Sequence, residues 1–285
     1  MATMREIKQR IKSVNSTKQI TKAMNLVSAA KLQQARGKLE QVRPYFNETQ
    51  TIISTILKYS EILDHPYFTI REGKKKAYIV LTADRGLCGG YNANVFKELL
   101  TQVQGEEDIS IFSVGKKGKD FFQRQDYHLL AEYQAISEDP TYSDAAKIGE
   151  LAIQLYNEGT IDELHLVYTS FVSTIQHEPV TLQLLPLDPD VFVQETKEKA
   201  PLMRYEPSAE TVLGYIIPKY VNSLIYGGLV EASASEQGAR MTAMDTATEN
   251  ANTMIEDLTL AYNRARQATI TQELSEIVGG AEALQ

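Results

Sequence analysis

The chain has 285 residues, 43% of them apolar and 23% charged, with a formal net charge of -8, and this globular usage excludes an intrinsically disordered protein. Its single cysteine excludes an intrachain disulfide framework and a cysteine-rich zinc site, and its four scattered histidines include no pair at metal-binding spacing. No segment approaches the ~18 apolar residues that cross a bilayer, and the N-terminus lacks the apolar core of a secretory signal, so we expect a soluble, cytosolic protein.

The net charge is unevenly distributed along the chain. Residues 1–60 carry 11 Lys and Arg against 3 Asp and Glu, a net charge of +8, and the remainder carries -16. Such asymmetry predicts that the N-terminal segment meets an acidic partner, which could be nucleic acid, a membrane surface, an acidic protein or the rest of the chain. A solvated basic helix face is the alternative interpretation.

The first predicted element is a long helix over residues 3–58, in which apolar and small residues recur at alternating spacings of four and three. One row of this seam is Ile7, Val14, Thr21, Ser28, Ala35, Val42, Thr49 and Ile56, and the other is Ile11, Lys18, Asn25, Leu32, Leu39, Phe46 and Ile53. A repeat sustained over seven heptads is typical of a coiled coil, in which polar Lys18 and Asn25 would fix the register. Pro44 is expected to kink or locally unwind this helix.

The middle of the chain alternates strands with helices. Strands are predicted at 77–82, 109–114, 128–133, 163–170 and 179–185, with helices near 91–104 and 143–157 and another through Phe121 and Phe122. This alternation predicts a small Rossmann-like α/β domain with a mainly parallel sheet. A loop is expected over 189–207.

The last predicted element is a second long helix that begins after Ser208, a suitable N-cap. Interruptions are expected at Pro218, Gly227, Gly228 and Gly238. Its best seam is Met244, Ala247, Ala251, Met254, Leu258, Ala261, Ala265 and Ala268. Two such helices at opposite ends of a chain most simply form a long antiparallel coiled coil, and the alternative is two ordinary core helices of a bundle.

The predicted fold class is therefore α/β, with a long antiparallel coiled coil of the N- and C-terminal helices and a central Rossmann-like α/β domain. The expected limits are 1–60 for the first helix, 74–190 for the α/β domain and 208–285 for the second helix.

Two glycine-rich turns follow predicted strands, where phosphate-binding loops occur. The turn at 86–90 lacks the G-x-G-x-x-G order, and the turn at 115–120 has two residues between glycines where a P-loop has four. Both are better interpreted as structural turns.

Cys88 lies beside Asp84 and Arg85, but a catalytic cysteine needs a positioned base and no histidine is near it in sequence. We expect no catalytic residue, no cofactor and no metal.

Six segments carry a family resemblance. They are 20–24 (ITKAM), 27–32 (VSAAKL), 84–92 (DRGLCGGYN), 235–244 (SEQGARMTAM), 262–267 (YNRARQ) and 270–283 (ITQELSEIVGGAEA). In this order, and over essentially the whole chain, they resemble the gamma subunit of the F-type ATP synthase. A single cysteine, without the inserted two-cysteine segment of chloroplast members, favours a bacterial-type member without thiol control.

The resemblance implies a non-catalytic rotor in the central stalk. In that family, ion flow turns the membrane c-ring, and the turning shaft drives the catalytic beta subunits through their states in sequence. The implied partners are the alpha and beta subunits, the epsilon subunit and the c-ring, with no nucleic acid and one copy of the chain per complex. The implied location is peripheral, on the cytoplasmic face of the bacterial plasma membrane.

The resemblance also implies site residues. Contacts with beta are expected from Met24, Asp84, Arg85, Arg240, Arg266 and Gln267. An apical bearing is expected from Ile270, Ile277 and Val278, and contacts with the c-ring from Tyr205 and Glu206. The alternatives are that Met24 is a simple seam residue and that Arg240 makes only an intrachain ion pair.

Two rival functions remain open at this level. The first is a coiled-coil scaffold or nucleic-acid-binding protein that uses the basic N-terminal helix. The second is an enzyme built on the α/β domain.

Overall fold

A computed structural model of the chain describes residues 3–282 apart from 61–64, 72, 74, 107, 175 and 195–204. The elements in chain order are α1 (Met4–Ser60), β1 (Lys76–Leu81), α2 (Tyr91–Gln102), β2 (Ile109–Val114), α3 (Lys116–Arg124), β3 (His128–Tyr133), α4 (Tyr142–Asn157), β4 (Glu163–Phe171), β5 (His177–Leu185), α5 (Pro189–Gln194) and α6 (Ala209–Glu282).

The chain divides into two compact units. The coiled-coil unit consists of Met1–Ser28 and Met241–Gln285, and the α/β unit consists of Ala29–Arg240. The boundaries of these units fall inside α1 and α6. The expected limits of 1–60, 74–190 and 208–285 divide the chain at other positions, and these limits stay a prediction.

The α/β unit contains a five-stranded sheet in the order β3-β2-β1-β4-β5. Neighbouring strands are parallel except for β5, which runs antiparallel to β4 at the edge. The mainly parallel sheet predicted from the alternating pattern is confirmed. Connections between parallel strands cross over through helices, so the carboxyl ends of β1, β2 and β3 lie at one edge of the sheet.

Helices cover both faces of this sheet. In β1, Ala77, Ile79 and Leu81 pack in one apolar cluster with buried residues of α1, α4 and α6. Tyr78 and Val80 point to the other face and pack with residues of α2 and α3. A parallel strand buried on both faces needs a continuous apolar run, which is why β1 lacks polar alternation. Each large side chain buried in these clusters contributes roughly 1.5–3 kcal/mol.

The coiled-coil unit pairs the start of α1 with the end of α6. Thr21 Oγ1 lies 2.7 Å from Thr248 Oγ1, and Asn25 Nδ2 donates to the Met241 carbonyl over 3.0 Å. The partner number falls as the α1 number rises, so the helices are antiparallel, as predicted. Asn25 therefore bonds across the pair, as a register-fixing residue must.

The predicted seam of α6 is half correct. Met244 and Ala251 are buried, but Met254 is 56% exposed. Alternate members of the predicted seam are Ala247, Met254, Ala261 and Ala268. The residue that follows each of them is partly buried in the structure, namely Thr248, Ile255, Tyr262 and Thr269. Met254 and Ile255 are both apolar and adjacent, so the repeat alone did not decide which of the two faces α1.

Two local expectations were wrong, and a third is decided only in part. Helix α6 continues through Pro218, Gly227, Gly228 and Gly238. Helix α1 continues through Pro44 without local unwinding, and a kink there stays a prediction. A short helix, α5, occupies the start of the predicted loop. Packing explains the continuity of α6, because an added Cβ at Gly228 would lie 2.7 Å from Leu166 Cδ2 of β4. That glycine permits close contact between the helix and the sheet rather than ending the helix.

Within the described part of the chain, no helix is long and apolar enough to cross a membrane.

The glycine that follows β2 gives a test of this close packing. Gly115 has a φ of 94°, and an added Cβ would lie 2.1 Å from the Thr82 carbonyl oxygen. We expect Gly115→Ala to lower the free energy of unfolding by about 3 kcal/mol, measured by urea denaturation. The matched control is Gly105→Ala, since Gly105 has a φ of 87° and open space around it. The control should lose about 1 kcal/mol, and equal losses would contradict the steric argument.

Candidate functional site

The candidate site is the edge of the sheet where β1, β2 and β3 end. Ligands of open α/β sheets bind at this edge. Here it is formed by the loop 82–90 after β1, the turn at Gly115 and the segment 134–141 after β3. Of the expected site residues, Asp84, Arg85 and Arg240 are brought together at this edge.

The Asp84 carboxylate ties the three loops together. Its Oδ1 accepts hydrogen bonds from the backbone N–H groups of Lys116 (3.1 Å) and Ala135 (3.0 Å). Its Oδ2 accepts from the backbone N–H (3.2 Å) and Oγ (3.0 Å) of Ser137. Charge-assisted hydrogen bonds of this kind are about twice as strong as neutral ones. Asp84 therefore acts inside the chain as the anchor of this edge.

The same network explains why the turn at 115–120 does not form a phosphate site. A phosphate would need the free N–H groups at the start of α3. Lys116 donates its N–H to Asp84, Lys117 donates to the Ala83 carbonyl over 3.1 Å, and Gly118 donates to Thr82 Oγ1 over 2.9 Å. The chain's own oxygens thus use the donors that an anion would require.

Arg240 forms a buried ion pair at the same edge. Its Nη2 lies 2.6 Å from Glu236 Oε1, one turn earlier in α6, and both side chains are less than 10% exposed. Its Nε and Nη2 also donate to the Gly86 carbonyl over 3.4 Å. Burial raises the pKa of Glu236, and Arg240 opposes that rise. Arg240 therefore holds the 84–90 loop against α6.

A second, more exposed ion cluster surrounds Glu138. Lys31 Nζ lies 2.6 Å from Glu138 Oε2, and Arg85 Nε lies 3.1 Å from Glu138 Oε1. The hydrogen bond from Lys31 is the main reason that the pKa of Glu138 is lowered. The Arg85 side chain stays 76% exposed, so it is the member of this cluster most available to another molecule.

Sequence reasoning missed Glu236, Glu138 and Lys31. The spacing of four between Glu236 and Arg240 was a usable signal, because residues four apart lie on one helix face. No local signal joins Lys31 to Glu138, which are separated by 107 residues in sequence.

Cys88 has the surroundings of a structural thiol. It is buried, and its sulfur accepts a hydrogen bond from Asn92 Nδ2 over 3.3 Å. Burial, followed by the Glu236 carboxylate, raises the pKa of the thiol. A nucleophilic cysteine needs the opposite shift. Among the residues with described positions, no group of His, Cys, Asp and Glu side chains is arranged to hold a metal ion.

The remaining expected residues lie elsewhere. Met24, which is half-buried, belongs to the coiled-coil unit, as do the exposed Arg266, Gln267, Ile270, Ile277 and Val278. Tyr205 and Glu206 precede α6 in the α/β unit. The Tyr205 ring packs against the core, its hydroxyl is buried without a hydrogen-bond partner among the described residues, and burial raises its pKa.

The structural class of the protein is defined by two features. These are a doubly wound α/β unit and terminal helices that pair in an antiparallel coiled coil. The family model described as ATP synthase matches residues 3–284. The chain is 55% identical to the ATP synthase gamma chain of Alkaliphilus metalliredigens, covering 99% of both chains, and 48% identical to that of Lachnoclostridium phytofermentans, covering 100% of both. It is also similar to a chain in a structure of the central stalk and c-ring of Tetrahymena thermophila mitochondrial ATP synthase, with 26% identity, a TM-score of 0.61, and coverage of 80% of this chain and 99% of that one. The chain belongs to the ATP synthase gamma-chain family.

The buried ion pair yields a double-mutant prediction. Arg240→Met leaves the Glu236 carboxylate buried without its partner, and we expect a loss of about 3 kcal/mol in the free energy of unfolding by urea denaturation. The double variant Glu236→Gln with Arg240→Met should lose at least ~1 kcal/mol less than the sum of the two single losses. Additive losses would show that the pair does not couple the two side chains.

The Glu138 cluster yields a pH prediction. A lowered folded-state pKa stabilises the protein above the unfolded-state pKa of about 4.3, and this stabilisation is lost as the pH falls through the folded-state pKa. Because both partners are about one-third exposed, Lys31→Met should cost only ~0.5–1 kcal/mol at pH 7 and nothing once Glu138 is protonated. Chemical denaturation across this pH range checks the loss. Lys97→Met, which removes an exposed charge from α2, should show no such pH dependence.

Proposed function

We propose that this chain is the central-stalk rotor subunit of an F-type ATP synthase. It couples ion-driven rotation of the membrane c-ring to sequential conformational change of the catalytic beta subunits. The observation that carries this proposal is the full-length match to gamma chains, together with the antiparallel pairing of the terminal helices.

The coiled-coil unit has the properties that a rotating shaft requires. The hydrogen bonds of Thr21 and Asn25 to the opposite helix oppose sliding of one helix along the other. On the outer surface, apolar side chains remain exposed at Ile20 (60%), Leu26 (64%) and Val27 (56%). Exposed apolar patches mark contact surfaces, and the partner proposed here is the inside of the ring of alpha and beta subunits.

The end of α6 is the proposed apical bearing. Ile270, Ile277 and Val278 are 48%, 67% and 59% exposed, and Leu274 between them is 57% exposed. An apolar surface slides within an apolar sleeve without the geometric demands of hydrogen bonds and ion pairs. Glu273 and Glu276 lie in the same segment and are also exposed.

We assign the subunit a non-catalytic role in the complex. The N–H groups at the start of α3 are engaged by Asp84, Ala83 and Thr82, and Cys88 is a buried, structural thiol. Catalysis is assigned to the beta subunits.

The contacts with beta divide into direct and indirect ones. Arg85, Arg266 and Gln267 are exposed and are proposed to bond to beta directly. Met24, which is half-buried, is also proposed to contact beta. Arg240 is buried, so its proposed contribution is to position the loop 84–90 through the Gly86 carbonyl. Asp84 contributes in the same indirect way.

The remaining assignments complete the proposal. Tyr205 and Glu206 are placed at the c-ring, and the epsilon subunit is a further partner. One copy of the chain serves each complex, which lies peripherally on the cytoplasmic face of the bacterial plasma membrane. The segments 1–60, 74–190 and 208–285 are the proposed functional divisions of the chain.

Assembly with the catalytic ring tests this function. The wild-type chain, mixed with alpha and beta subunits from the same organism, should give one complex by native mass spectrometry with a single copy of this chain. Failure to form any such complex would overturn the proposal.

Within that complex, we expect the double variant Arg266→Ala with Gln267→Ala to assemble and to hydrolyse ATP at least tenfold more slowly. Loss of charge-assisted hydrogen bonds to beta is worth more than the ~1.4 kcal/mol that corresponds to a tenfold change. The control is Lys97→Ala with Gln104→Ala, which alters a basic and an amide side chain exposed elsewhere. Equal rates for the two double variants would remove Arg266 and Gln267 from the proposed contact.

A further inference from the structure

The α/β unit contains a large cavity that the rotor function does not use. Its volume is about 1070 Å³, and it lies between α1, the end of the sheet at β4 and β5, α5 and α6. Five aromatic side chains line it: Phe46, Phe68, Tyr168, Phe192 and Tyr220. The remaining wall contains aliphatic side chains, four neutral polar ones and two acids. A cavity of this size and lining suits a drug-sized organic molecule.

The charges of the lining have one sign. Asp188 and Glu231 are the charged residues among the described lining residues, and no described Lys or Arg faces the cavity. Burial and the nearby Glu231 carboxylate raise the pKa of Tyr168 to about 12, so this phenol is neutral at physiological pH. The cavity therefore favours a cation and disfavours an anion.

One carboxylate oxygen of Glu231 also lacks a hydrogen-bond donor among the described residues. Its Oε2 is buried, and no described residue donates a hydrogen bond to it. A buried carboxylate oxygen without a partner is costly, and a ligand that supplied a charged N–H donor would remove that cost. The aromatic walls add a second preference for a cation, since ring faces attract positive charge.

We propose that this cavity binds an organic monocation with an apolar or aromatic body, whose ammonium group donates to the Glu231 carboxylate. The body of the ligand packs among the aromatic side chains, against helices from both ends of the chain. This site is independent of the rotor assignment, since it depends only on groups inside the α/β unit.

Isothermal titration calorimetry of the full-length chain tests the site with three matched probes. These are 4-phenylbutylamine, the neutral 4-phenylbutanol and the anionic 4-phenylbutyrate. We expect saturable one-to-one binding of the amine that is at least tenfold tighter than that of the alcohol, and no binding of the carboxylate. Absence of saturable amine binding, or equal binding of amine and alcohol, would overturn the proposal.

Two variants locate the binding. Glu231→Gln keeps the shape of the side chain and removes its charge, and it should weaken amine binding about 10–100-fold. Gly227→Leu fills the cavity, because Gly227 lines it and an added Cβ there meets no atom within 4 Å, so binding should be lost. Gly214→Leu is the matched control, an equally open glycine of α6 outside the cavity, and it should bind like the wild type. Wild-type affinity in Gly227→Leu would show that the amine binds elsewhere.

Discussion

The constraint on which the α/β unit depends is that a parallel sheet must be covered on both faces. Helices α2 and α3 cover one face, and α4 covers only part of the other. The rest of that face is covered by Ile53, Ile56 and Leu57 of α1 and by a longer run of α6 residues from Leu213 to Ala232. Covering this sheet therefore brings the two terminal helices of the chain together. The antiparallel pairing seen between Thr21 and Thr248 joins the same two helices.

Polar groups at the edge of the sheet are used mainly to hold the protein itself together. Asp84 ties its own loop to two others, and the Glu236–Arg240 pair holds the loop 84–90 on α6. Removing charged groups from water is costly unless they are paired, and here each has a partner inside the chain. This arrangement suits a subunit that transmits force, since its loops keep a fixed shape. Arg85 is an exception, since its side chain stays largely exposed at this edge.

Much of the fold could be predicted because its signals are periodic. The strands at 109–114 and 128–133 have the predicted limits, and the heptad seam of α1 is confirmed at buried Ile7, Thr21 and Ser28. The errors fall where a local rule competed with packing. Proline predicted a kink or local unwinding of α1, and proline and glycine predicted interruptions of α6, but neither helix is interrupted at these residues. The α6 seam was shifted because the adjacent residues Met254 and Ile255 are both apolar.

The sequence by itself determined the family, the alternation of strands and helices, and the presence of two long terminal helices, because motifs and periodicity are properties of neighbouring residues. Only the tertiary structure decided which charged residues far apart in sequence meet. Lys31 finds Glu138, Asp84 finds the start of α3, and the cavity at Glu231 forms between elements far apart in sequence. The physical reason is that burial and pairing depend on distances across the fold, which no local pattern encodes.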